Sequence, residues 1–138
     1  MTVTFDLTLD CTDAQLLAAF WKTALGYVDE PPPPPFRTRG EWLAQFDLPE
    51  SAGDGAWLCH PQRAGPRLAI LKVPEPKTVK NRLHIDIRVP RDGDPAAQWA
   101  RAERLAGAGG AILVEAEGHH VVLGDPEGNE FCVAAASA

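Results

Sequence analysis

The chain has no uninterrupted apolar run close to the roughly 20 residues that a membrane-spanning helix needs. Its first residues lack a basic segment followed by an apolar stretch, so no secretion signal is expected. Cysteine is scarce: Cys11, Cys59 and Cys132 are odd in number and widely spaced, which disfavours a disulfide framework and favours reduced thiols in the cytoplasm. Basic residues are outnumbered, and the net charge of −6 argues against a nucleic-acid partner. The 138 residues fit one compact unit of ordinary domain size, with enough apolar content for a core.

What is present is a pattern that occurs twice. Residues 5–26 read FDLTLDCTDAQLLAAFWKTALG and residues 83–109 read LHIDIRVPRDGDPAAQWARAERLAGAG. Each has an alternating segment, an acidic turn, and a helical run ending in small residues, as an internal duplication would. In the first copy Val3, Phe5, Leu7 and Leu9 fall on one strand face and Asp6, Thr8 and Asp10 on the other. Thr12 or Asp13 can cap the helix that follows, whose apolar residues are Leu16, Leu17, Phe20, Trp21, Ala24 and Leu25, and Gly26 ends it. In the second copy Leu83, Ile85, Ile87 and Val89 alternate with His84, Asp86 and Arg88, and Asp94 is the expected cap of a helix over 95–106.

Between the copies, residues 27–29, 56–60 and 67–73 read as strands, 41–47 as a short helix and 51–55 as a loop. Residues 31–35 are consecutive prolines, which predicts an extended, stiff surface connector; a docking sequence for a proline-binding partner is the weaker reading. Residues 73–82 form the linker, and strands at 112–117, 119–124 and 129–135 complete the chain. The expected fold class is therefore α+β, two βαβββ modules over residues 1–75 and 76–138. His119 and His120 point to opposite sides of a strand and do not readily chelate one ion together.

The segments Phe20-Trp21, Leu25-Gly26-Tyr27, Gly65-Pro66-Arg67-Leu68, Val73-Pro74-Glu75, Lys80-Asn81-Arg82-Leu83-His84-Ile85-Asp86 and Asp125-Pro-Glu-Gly-Asn-Glu-Phe-Cys-Val133 span nearly the whole sequence. In them the chain resembles the vicinal oxygen chelate superfamily, which includes glyoxalase I, bleomycin-resistance proteins and extradiol dioxygenases; its small glyoxalase-like branch is the nearest match. The resemblance implies curved mixed sheets enclosing a cavity, and a homodimer. Catalytic members bind a divalent metal through residues of the first and last strand of each module. Those positions fall here on Asp6, His84 and Cys132, with Glu130 one step earlier on the same face as Cys132, and on Ala69 or Leu71, which cannot bind a metal. An Asp, His and thiol set is a poor oxygen-rich site, so no tightly bound metal and no cofactor are expected.

Two functions follow. In the first, the protein binds a small organic molecule in the inter-module cavity, lined by Asp6, Thr8, His84, Asp86, Glu130 and Cys132, with aromatic walls from Trp42, Trp57 and Phe46. The acidic groups there suit a cationic or hydroxyl-rich ligand. In the second, it is a lyase-, isomerase- or dioxygenase-type enzyme that uses His84, with or without a divalent metal, as catalytic base, with Asp6, at the equivalent place in the other repeat, as its partner.

Overall fold

The computed structural model describes residues 1–90, 97–116 and 120–135. Twelve elements follow in order. The first half contains β1 (Leu7–Cys11), α1 (Ala14–Leu25), β2 (Val28–Asp29), α2 (Arg39–Leu43), a 3-10 turn (Glu50–Asp54), β3 (Ala56–Cys59) and β4 (Leu68–Lys72). The second contains β5 (Asp86–Val89), α3 (Ala97–Gly107), β6 (Ala111–Ala116), β7 (His120–Gly124) and β8 (Glu130–Ala135). The strands form two four-stranded sheets, ordered β1-β4-β3-β2 and β5-β8-β7-β6. In each, the first strand runs parallel to the last and the other pairings are antiparallel. The same order in both sheets is the structural form of the duplication: two βαβββ modules of mixed α+β class.

The chain divides into two compact units, one of Met1–Lys22 and Gly26–Pro76, the other of Thr23–Leu25 and the residues from Lys77 onward. In the first, the buried positions of α1 include Ala14, Leu17, Ala18, Phe20 and Trp21, and the sheet's buried residues include Leu58, Leu68 and Ile70. In the second, α3 packs on β6, β7 and β8, with Ala102, Leu105, Val121, Leu123, Phe131 and Val133 buried. Among the described residues, no helix is long and apolar enough to cross a membrane.

Of the two candidate caps of α1, Asp13 takes the role: its carboxylate accepts from the Leu16 N–H at 3.1 Å. Gly26 ends the helix at φ 70°, a left-handed conformation that glycine adopts without a Cβ penalty. Leu16, one position off the buried stripe, is 55% exposed. The Asp125-Pro-Glu-Gly-Asn129 segment is the turn from β7 to β8. The buried Asp125 carboxylate accepts from the N–H groups of Glu127 and Asn129, both at 2.9 Å, and from the Asn129 amide.

Several boundaries differ from those read in the sequence. The first strand starts at Leu7 instead of Val3, leaving Val3 and Phe5 exposed, because its partner strand begins only at Leu68. The fifth starts at Asp86 instead of Leu83, which is 71% exposed. Alternation alone does not make a strand; a partner must supply the ladder. Residues 51–55 are mostly 3-10 turn, and the short helix begins earlier, at Arg39, capped by Thr38. The proline run is not extended throughout, since the Phe36 N–H donates to Pro33 O at 3.1 Å and closes a turn through Pro34 and Pro35. The expected cap Asp94 and His119 lie outside the described residues.

Candidate functional site

In the first unit, strand alternation sends Leu58, Leu68 and Ile70 into the core and turns Trp57, Ala69 and Leu71 the other way. Ala69 is directly opposite both Trp57 and Thr8, so a small side chain stands beside a large one and leaves space above the sheet. α2 and the segment after it close that space. The result is a cleft of about 330 Å³ lined chiefly by Trp42, Leu43, Leu48, Trp57, Leu71 and Lys72. The Trp42 and Trp57 rings meet edge to face with centroids 6.1 Å apart, and Phe46 adds a third ring 5.1 Å from Trp42.

The two indoles are held from behind. Arg39 and Trp42, three residues apart on α2, share a helix face. The Arg39 guanidinium lies 4.9 Å from the Trp42 ring centre and 4.7 Å from that of Trp57. Arg39 Nη2 donates to the backbone carbonyl of Glu30 at 3.0 Å and to its carboxylate at 3.4 Å. The Glu30 carboxylate, with only 4% of its side chain exposed, also accepts from Arg67 Nη2 at 2.6 Å and from Arg67 Nε. Burial alone would raise the Glu30 carboxyl, but the hydrogen bonds and charges of Arg67 and then Arg39 outweigh it and hold it below the ordinary glutamate range. Asp6 is the outer end of this network, accepting from the Arg67 backbone N–H at 3.1 Å and from Arg67 Nη1 at 3.3 Å. Arg39 Nη1 is buried without a hydrogen-bond partner.

In the second unit the candidate residues gather near β5 and β8. Asp86 and Cys132 face each other across the parallel ladder. Burial pushes the Cys132 thiol up, and the neighbouring Asp86 pushes it further, so the sulfur is a neutral thiol and a poor nucleophile. Glu130 accepts from the Asn81 backbone N–H at 2.9 Å and pairs with Lys77 at 3.4 Å. His84 lies before β5 and is exposed, with Nε2 2.8 Å from both the Asn81 carbonyl and Lys80 Nζ. These two contacts exclude each other: a protonated Nε2 donates to the carbonyl, whereas a bare Nε2 accepts from the lysine.

The Asn81 N–H and Glu130's own backbone N–H, with Lys77 adding to them, hold the Glu130 carboxyl down to about 2. A carboxyl depressed on folding contributes stability that is complete above its ordinary value and is lost as pH falls through the folded value. Glu130 is therefore expected to titrate near 2 in a carboxyl-carbon NMR experiment. Titration at the ordinary 4.5 would mean that residues 81–84 do not fold back onto it.

Within each unit, the donors at the positions that the superfamily uses for metal already have protein partners. Asp6 is occupied by Arg67, Ala69 and Leu71 have no side-chain donor atom, His84 Nε2 is taken up by Lys80 or the Asn81 carbonyl, and Glu130 pairs with Lys77. Among the described residues no three His, Cys, Asp or Glu side chains converge as ligands.

The sequence reading placed Trp42 and Trp57, with Asp6 and Thr8, in an inter-module cavity; the structure puts the two tryptophans in a cleft of the first unit whose lining does not include Asp6 or Thr8. It did not find Glu30, Arg39 or Arg67. Glu30 and Arg67 are 37 residues apart, and no local spacing links a lone acid beside a proline run to an arginine at the start of another strand.

The model of the glyoxalase-like domain matches residues 6–134, nearly the whole chain. The chain belongs to the glyoxalase-like domain family. Comparison with curated proteins finds no similar sequence. Among solved structures, this glyoxalase-like chain is similar to a fosfomycin resistance protein from Mesorhizobium loti, with 12% identity, a TM-score of 0.68, and coverage of 99% of this chain and 94% of that one. It is also similar to a glyoxalase/bleomycin resistance protein/dioxygenase family enzyme from Burkholderia phytofirmans PsJN, with 14% identity, a TM-score of 0.64, and coverage of 96% and 98%. A glyoxalase-related enzyme from Fulvimarina pelagi shows 19% identity, a TM-score of 0.62, and coverage of 99% and 89%. At these identities the likeness is one of fold, and fold does not select a reaction.

Proposed function

We propose that this glyoxalase-like protein binds a small, planar organic molecule in the Trp42–Trp57 cleft of its first unit, with no catalytic metal taking part. The observation that carries the reading is a cleft of about 330 Å³ whose walls are chiefly apolar and aromatic. Ligand sites of small molecules have this size and character, with a few polar groups fixing orientation. The aromatic walls are already fixed in place by Arg39 and Glu30, so less side-chain freedom is lost when a ligand enters.

Neutral naphthol, a planar probe, tests this by calorimetry. Binding is expected in the wild type, and Trp57→Ala is expected to weaken it at least tenfold, about 1.4 kcal/mol. Failure of naphthol to bind, or equal affinity in Trp57→Ala with the fold intact by circular dichroism, would remove the cleft as the site.

A further inference from the structure

Resting on that reading of the cleft, we infer that its ligands are aromatic acids, planar rings carrying a carboxylate or a similar anionic group, and that it disfavours aromatic cations. A pocket walled by two tryptophans invites the opposite expectation, because indole faces attract cations through the ring quadrupole. Here that capacity is already used. The Arg39 guanidinium lies against both rings, 4.9 and 4.7 Å from their centres, while standing outside the cleft lining. Its side chain is only 16% exposed, so water screens it little. A second cation in the cleft would meet rings already polarised toward Arg39, and would be repelled by Arg39 through them.

Two further features favour an anion. Among the described residues Lys72 is the one charged residue that borders the cleft, at the end of β4, with its ammonium 3.8 Å from Asp54. Among the described residues Arg39 Nη1 is a buried donor with no acceptor, so the guanidinium, whose partner Glu30 is shared with Arg67, is not saturated behind the indoles. The nearby carboxylates do not reverse this. Glu30 is buried and divided between Arg39 and Arg67. Asp54, which pairs loosely with Lys72 at 3.8 Å, is 63% exposed on its side chain. Asp10, opposite Leu71 across the ladder, is also exposed. Solvent screens both.

Three naphthalene probes of matched size separate this inference from the reading beneath it: naphthol, naphthoate and naphthylmethylammonium. Their affinities would be measured by calorimetry at low and high salt. Naphthoate is expected to bind tightest, the ammonium probe about tenfold or more weaker than naphthoate, and the difference to shrink with added salt. Lys72→Gln is expected to cut naphthoate affinity severalfold. If naphthol binds but the ammonium probe binds as well as naphthoate or better, the charge preference is overturned while the cleft stands as a site. Naphthoate affinity unchanged in Lys72→Gln would also overturn it. If naphthol does not bind at all, the cleft itself is not the site and the inference falls with it.

Discussion

Glu30→Ala is expected to cost about 3 kcal/mol of stability in denaturant unfolding, the low end of what removing one partner of a buried ion pair costs. The loss arises because Arg39, 16% exposed, keeps its charge behind the tryptophans after its anionic partner has gone. It stays at the low end because Arg67 has 43% of its side chain in solvent and can be rehydrated. The pH dependence separates this from a simple packing defect. The Glu30 carboxyl is held below the ordinary 4.5, so its contribution is complete above that value and is lost as pH falls through the lower folded value. Glu30→Gln keeps the shape and removes the charge, and is expected to flatten that acid limb of the stability profile. By contrast Arg63→Ala is expected to change little, because Arg63 is 58% exposed and 3.7 Å from the same carboxylate. A Glu30→Ala protein as stable as wild type would mean that the network does not hold the cleft.

Trp21→Ala is expected to cost about 3–5 kcal/mol, the range for truncating a buried aromatic side chain. Trp21 is 1% exposed and meets Phe20 edge to face, with centroids 5.5 Å apart. Little of the resulting cavity can close, since Leu17 and Phe20 on the same helix are themselves buried. Trp57→Ala is expected to cost clearly less stability than Trp21→Ala, because Trp57 lines an open cleft. Three of the four tryptophans thus divide between two roles: Trp21 fills the core, and Trp42 and Trp57 shape a surface concavity. Unfolding of the two variants in the same denaturant series checks the ordering, and equal losses would contradict it.

Local rules were enough for much of the fold. The duplicated strand-turn-helix pattern gave the two modules, and the Asp13 and Gly26 signals bounded α1 within a residue. The sequence pattern made Trp42, Trp57 and Phe46 walls of an inter-module cavity, whereas the cleft that Trp42 and Trp57 line is built from residues of the first unit alone. Features that depend on long-range partners were not legible. Whether Val3, Phe5 and Leu83 join a strand depends on where β4 and β8 begin, which lies far along the chain. The Glu30, Arg39 and Arg67 network is of the same kind, because three isolated charges acquire a role only when folding brings them together. The polar faces of the repeats were read from the sequence as a ligand-contacting lining. Several of these groups are engaged: Asp6 with Arg67, Glu130 with Asn81 and Lys77, and Asp86 beside Cys132.

The indole N–H resonances of Trp42 and Trp57 report the cleft most directly. In a nitrogen–proton correlation spectrum, added naphthoate is expected to shift both, while the indole resonance of the core residue Trp21 stays where it is. Unmoved Trp42 and Trp57 resonances at saturating naphthoate, or shifts confined to the backbone amides of β5 and β8, would contradict ligand binding in the aromatic cleft.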